Sequence, residues 1–295
     1  LPTALIELLA QHPGGLAALL FGLGALIGSF LNVVIHRLPK MMEQNWRHEC
    51  QTLLELPVSA PPARFDLLWP NSHCPHCQTE IRPWHNIPLL SYLWLRGRCA
   101  HCQGRISLRY PLIELITALL SVTTFMLLWD GSQLWPPVAA LLLTWTLIAL
   151  TVIDLDHQLL PDSLTLPLLW LGLLLNQASL FAAPADALYG AVAGYLSLWS
   201  FYWLFKLTTG KEGMGHGDFK LLALLGAWLG WRLLPLILIL SSLIGALVGI
   251  ALIALRGHDR QIPIPFGPFL AGAGWIALIW GETLTRGYLA YLGIG

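Results

Sequence analysis

The chain has 295 residues, with 16 Lys+Arg balanced by 16 Asp+Glu, and it is 56% hydrophobic but only 11% charged. Soluble domains carry about 25% charged residues, so this balance excludes an ordinary soluble protein; abundant Leu with only five Cys also excludes a disordered chain and a small disulfide scaffold. Zero net charge gives no electrostatic case for nucleic acid, whereas a mean hydropathy of +0.65 and 14 Trp fit a lipid bilayer, whose two faces favour indole rings.

Residues 16–35, LAALLFGLGALIGSFLNVVI, form an uncharged run that spans about 30 Å as a helix. It is longer than a signal-peptide core and no small-residue cleavage site follows it, so it is expected to stay as an anchor. Within it, Gly22, Gly24 and Gly28 are only superficially like a dinucleotide loop and have no preceding strand, and close helix packing is the expected use. Residues 37–110 are polar, basic and rich in Pro and Cys. Further apolar runs cover 111–129, 134–153, 163–183, 187–205, 219–231, 233–255 and 262–281.

The expected fold is therefore an all-α polytopic membrane protein of about eight transmembrane helices. Residues 1–37 hold the N-terminal segment and first helix, 38–110 a small cytoplasmic zinc-binding loop domain, and 111–295 a seven-helix membrane domain. The sixth run has 13 residues, below the usual minimum of about 17, and is expected to be tilted, thinly covered or re-entrant. Positive residues in short loops stay on the cytoplasmic side. Alternating from the first span, one side collects Arg37 through Arg109, then Lys206, Lys211, Lys220, Arg256 and Arg260, and the other holds Arg232 and Arg286. That census places the Cys-rich loop in the cytoplasm and both termini outside.

In the basic loop, Cys74-Pro-His-Cys77 and Cys99-Ala-His-Cys102 supply four thiolates at the spacing of a tetrahedral Zn²⁺ site. A filled four-sulfur shell leaves no open position, so this zinc would be structural, closing a loop too polar to fold on its own core. Cys50 is expected to be a free thiol. His73, His76 and His101 stand close enough to replace a Cys ligand, but surface histidines within a knuckle are ordinary.

Ionisable residues inside or at the rim of membrane helices are costly and are functional by default. The third run ends in TVIDLDHQLLPD, with Asp154 in its last turn; Asp218 opens the sixth after glycines 213, 215 and 217. Both fall at the cytoplasmic face. Two aspartates from different helices at one depth meet the requirement of aspartyl-protease chemistry, in which one carboxylate activates water and its protonated neighbour donates to the substrate. The bland alternative makes Asp218 a helix N-terminal acid and Asp154 a solvated helix end. Asp156 lies about 200° around a helix from Asp154 and cannot share its cleft. Asp162 reads as the N-cap region of the fourth helix. No HExxH or GxSxG pattern offers another scheme. A polytopic transporter with intramembrane acids is the rival reading, but no inverted repeat is evident and the acids gather at one face.

The chain resembles the bacterial type IV prepilin peptidases, on GSFLNVVIHRLP at 28–39, the paired CxxC, NIPLLSYLWLRGRC at 86–99, RYPLIELIT at 109–117, IDLDHQLLPD at 153–162 and GHGDFKLL at 215–222. The resemblance implies that Asp154 and Asp218 are the catalytic pair. It implies cleavage of a short basic leader from prepilins or pseudopilins on the cytoplasmic side of the bacterial inner membrane, after a Gly. It further implies N-methylation of the new N-terminus with S-adenosylmethionine. Glu114, in the matched RYPLIE stretch, is the candidate residue of the methyl-transfer region, with a structural pairing to Arg109 as its alternative.

Overall fold

An apolar run in a medium without water must satisfy its own backbone polar groups, and a helix does so within one segment. The computed structural model describes residues 12–56, 64–211, 213–256, 264–291 and 293, and there each of the eight apolar runs forms a helix. These are α1 (Pro13–Leu53), α2 (Arg109–Leu128), α3 (Trp135–His157), α4 (Asp162–Leu175), α5 (Pro184–Thr209), α6 (His216–Leu229), α7 (Leu234–Arg256) and α8 (Gly267–Tyr291). Among the described residues there are no strands, only two isolated β-bridges. Arg260 and the first two residues of the eighth run lie outside the described residues.

Proline in the first turn starts α1, α3 and α5, where the missing N–H would find no helical partner anyway. Left-handed Gln158 and Gly210 close α3 and α5 by donating their N–H groups to the carbonyls of Asp154 and Lys206. α1 continues to Leu53, well beyond the end of the first apolar run. Among the described residues, four helical segments are long and apolar enough to cross a membrane: α1, α2, α3 and the segment Trp231–Leu255, which holds all of α7 but its last residue. α4 and α6 have 14 residues each.

The chain divides into two compact units, residues 1–126 with 130–132, and residues 127–129 with 133–295. In the first, α1 lies close against α2 because Gly24 and Gly28 leave room for it. A methyl group on Gly24 would come within 2.7 Å of Ala118 Cα, and one on Gly28 within 2.7 Å of Glu114 Cα. Glycine here serves helix packing, as the small-residue spacing predicts.

In the second unit, α6 packs against α4, α5 and α8, and α8 also packs against α3 and α7. Gly190 of α5 faces Gly226 of α6 backbone to backbone, and Gly194 rests on the Leu222 carbonyl. Every residue from Leu221 to Leu229 is buried. Thin cover for the sixth run therefore does not hold: protein surrounds α6 where lipid was expected, so its length of about 21 Å need not match the bilayer. Its far end is fastened by buried Asn176, whose amide donates to the carbonyls of Ala227 and Trp228 at 2.8 and 2.9 Å. The same side chain accepts from the N–H groups of Phe181 and Ala182. Trp228 adds a bond from its indole N–H to Leu168 O at 2.8 Å.

Candidate active site and metal-binding loop

Asp154 occupies the last turn of α3, and Asp218 is the third residue of α6. Both are buried, at 6% and 7% exposure, in a molecule whose other acids are mostly at the surface. The first N–H of α8 would be unpaired inside the protein. Asp154 takes it: Gly267 donates to Oδ2 at 3.0 Å. Leu160, in the link from α3 to α4, joins the two aspartates sterically. A methyl group on Gly217, next to Asp218, would come within 2.8 Å of Leu160 Cβ. One on Gly267 would come within 2.5 Å of Asp154 Oδ2 and 3.3 Å of Leu160 Cδ2. The two carboxylates thus belong to one site built from the ends of three helices.

The neighbouring acids do other work. Asp156 is exposed on the same helix. Asp162 is the first residue of α4, with Pro161 at the cap position, and it holds Lys220 of α6 through both oxygens at 2.7 Å. That exposed pair contributes at most about 1 kcal/mol and serves as a clip between α4 and α6. His216 stacks at 5.1 Å from Tyr202 and 5.4 Å from Phe219, which fixes the first turn of α6. Gly267 and Leu160 went unseen in the sequence. The one signal for Gly267 is a Gly-Pro step at the sixth and seventh residues of the eighth apolar run.

The cysteine loop belongs to the first unit and is built twice. Cys74-Pro-His-Cys-Gln78 and Cys99-Ala-His-Cys-Gln103 fold alike: Cys74 N–H donates to Thr79 O and Cys99 N–H to Gly104 O, at 2.9 and 2.8 Å. Both glutamines are left-handed with φ of 57°. All four Sγ atoms lie within 4.8 Å of one another, and Cys74 and Cys102 are 3.8 Å apart. A tetrahedron with Zn–S bonds of about 2.3 Å has edges of about 3.8 Å, whereas a disulfide needs about 2.05 Å. The four sulfurs fit a metal ion. The quartet's thiols do not titrate alike: Thr79, through its hydroxyl and its backbone N–H, pulls Cys77 down to about 6, whereas Cys102, despite the Gly104 N–H, is pushed up to about 11 by burial and by the neighbouring Cys77, Cys99 and Cys74. Cys50 is a free, exposed thiol on α1, outside this cluster.

The loop is tied to its helices by buried polar groups. Arg37, near the end of the first apolar run, donates to Asp66 O at 2.9 Å and Pro70 O at 2.6 Å. Asn32 donates to Gly28 O and Tyr110 O, both at 3.2 Å. Glu114 accepts from Leu89 N–H at 2.8 Å and from the Ser29 hydroxyl. Arg37 and Asn32 were not singled out in the sequence, although both lie in the stretch GSFLNVVIHRLP.

Two family models match the chain: the bacterial peptidase A24 N-terminal domain over residues 22–128, and the type IV leader peptidase family over residues 141–250. The first covers the cysteine quartet and Glu114, the second both aspartates. Among curated proteins, the chain is 58% identical to the prepilin leader peptidase/N-methyltransferase of Pseudomonas aeruginosa, covering 98% of this chain and 99% of that one. It is 59% identical to the protein of the same name from Aeromonas hydrophila, covering 97% and 98%. The corresponding protein of Dickeya chrysanthemi is 51% identical, over 90% and 92%. No solved structure matches the chain. With both halves matched and relatives aligned almost end to end, the chain belongs to the type IV leader peptidase family.

Proposed function

We propose that the protein is a prepilin leader peptidase and N-methyltransferase of the bacterial inner membrane. Its eight helices cross or embed in the bilayer, with the cysteine loop, segment 38–110, and the aspartate site on the cytoplasmic side. The observation that carries the peptidase reading is the burial of Asp154 and Asp218 in one site at the ends of α3, α6 and α8. A transporter would place such acids midway along its helices, whereas these stand at helix ends.

The substrate is a prepilin or pseudopilin whose apolar helix lies in the bilayer while its basic leader stays in the cytoplasm. Depth then brings the bond after the leader's Gly to the two aspartates. One carboxylate takes a proton from water as oxygen attacks the Gly carbonyl, and the other gives a proton to the departing amine. The Gly267 N–H holds one oxygen of Asp154 in place throughout. The new amine is then methylated, with S-adenosylmethionine supplying the methyl group. We place that half in the first unit, with Glu114 as its acid and a structural Zn²⁺ on Cys74, Cys77, Cys99 and Cys102.

The test is incubation of purified protein with a prepilin in detergent, followed by mass analysis of the substrate. Loss of the leader and gain of one methyl group are expected. Asp154→Asn and Asp218→Asn should each lower cleavage by about 10²-fold or more, the scale of general acid–base catalysis, while Asp156→Asn and Asp162→Asn should be mild. Robust cleavage by a folded Asp154→Asn or Asp218→Asn protein refutes the dyad. Glu114→Gln should slow methylation and spare cleavage, and a normal methylation rate removes Glu114 from that site.

A further inference from the structure

Between the two cysteine knuckles the chain carries an apolar face that the metal does not use. Trp84, Ile87, Leu90, Leu93 and Trp94 are 52%, 43%, 64%, 72% and 79% exposed. Leu90, Leu93 and Trp94 stand at positions i, i+3 and i+4 of a one-turn helix, Leu90–Trp94, and so share one side of it. A contiguous apolar face of this kind on a surface marks a contact with something other than water.

The backbone fixes the height of that face. Leu89 is the centre of a γ-turn, with φ of 60° and ψ of −49° and the Leu90 N–H donating to Pro88 O at 2.6 Å, a rare and strained conformation. Its N–H is aimed at Glu114 Oε2, 2.8 Å away. Glu114 lies about 7.5 Å along α2 from its first residue, Arg109, and helix side chains lean toward the N-terminus, so the bond holds Leu89 beside the first turns of α2. Non-helical backbone at bilayer depth is tolerated only where protein satisfies its polar groups, and Glu114 does that for Leu89. Leu108, just before α2, is exposed as well, at 71%. Exposed cations border the face: Arg82, Arg96, Arg98 and Arg105, with the Arg82 guanidinium 5.6 Å from the centre of the Trp84 ring.

We infer that Ile87–Trp94 is a membrane-interface wedge. Leu90, Leu93 and Trp94 enter the acyl chains of the leaflet beside the cysteine loop, the bordering arginines meet anionic lipid headgroups, and Glu114 is the latch that sets the depth. The bond that ties Leu89 to Glu114, on a helix long and apolar enough to cross a membrane, and the basic border together select lipid as the occupant, since aromatic side chains and Arg suit that boundary. The inference rests on the proposed placement of α1 and α2 across the bilayer.

Single cysteines at Leu90→Cys, Leu93→Cys and Trp94→Cys, in the zinc-loaded Cys50→Ser protein, would carry nitroxide labels in vesicles of phosphatidylethanolamine and phosphatidylglycerol. The Cys50→Ser parent gives the background labelling. Oxygen, which concentrates in lipid, should relax all three labels several-fold more effectively than a water-soluble nickel chelate. The reverse preference overturns the wedge, and so does poor access to both agents, which would mean that another part of the chain or a docked polypeptide covers the face. Reference labels at Leu26→Cys in α1 and Leu119→Cys in α2 separate the two levels of the argument. If they too prefer the chelate, the membrane placement fails and takes the wedge with it; if they report lipid and Leu93→Cys reports water, only the wedge fails. Glu114→Ala should move the Leu93→Cys label toward water, whereas Glu114→Gln, which keeps an acceptor oxygen, should not. An unmoved label in Glu114→Ala overturns the latch. Replacing phosphatidylglycerol by phosphatidylcholine should raise chelate access at Trp94→Cys, and no change overturns the headgroup contacts.

Discussion

Asp154 owes its orientation to a residue without a side chain. Gly267 approaches so closely that its N–H reaches the carboxylate, and the same closeness leaves no space for a Cβ. Gly267→Ala should therefore turn the carboxylate aside. A misplacement of about 1 Å in a catalytic group costs about 10²-fold, so cleavage should fall on that scale while thermal unfolding changes little. Unaltered cleavage by the folded variant would show that the bond is dispensable. The aspartates themselves were legible in the sequence because acids are scarce in apolar runs and expensive to bury. Gly267 was not, since a backbone donor leaves no chemical mark, and Leu160 is one leucine among many. Arg37 was visible only as a positive charge at the end of a span, and its two carbonyl partners lie on a loop that no periodicity could place.

Between elements, the tightest approach is that of α5 and α6 at Gly190 and Gly226. A methyl group added there meets a carbonyl of the facing helix, which cannot swing away as a side chain would. Gly226→Ala should cost about 1–3 kcal/mol, the range for overpacking, measured as a lowered unfolding temperature in detergent. Gly22→Ala is the contrasting case: a Cβ at Gly22 meets nothing within 4 Å, and replacing helical glycine gains about 0.5–1 kcal/mol. The cysteine quartet was fully legible, because ligand number and spacing are sequence properties, but the repeat of fold from Cys74–Gln78 to Cys99–Gln103 emerges only from the backbone. Elemental analysis should find one zinc per chain. Single Cys→Ser changes or chelation should make the loop protease-sensitive and lower methylation more than cleavage, because structural zinc supplies about 10 kcal/mol or more of the folding energy of such small domains. Native disulfides among these cysteines would sink both the metal and the cytoplasmic orientation.

At the scale of the whole molecule, each apolar run proved to be a helix, because length and hydropathy are enough to fix that. What surrounds a helix is a different matter. Hydropathy cannot tell an apolar segment enclosed by protein from one bathed in lipid, so the sequence left the sixth run as tilted, thinly covered or re-entrant, and its burial removes only the thin cover. Its enclosure is also uneven. At Ala227 and Trp228 the carbonyls are gripped by Asn176, and Trp228 is itself bonded to α4. At the other end stand exposed Gly213, Gly215 and His216, and the surface clip between Asp162 and Lys220. α6 is thus enclosed and bonded at its distal end, whereas its first turn is held by the ring contacts of His216 and by a surface ion pair. Hydrogen exchange should be slowest at residues 224–229 and rise toward 213–219. On the proposed reading, a polypeptide entering between Asp154 and Asp218 would be met by the more lightly held end of α6, so the proposed pair would close on its substrate while the distal core stays still.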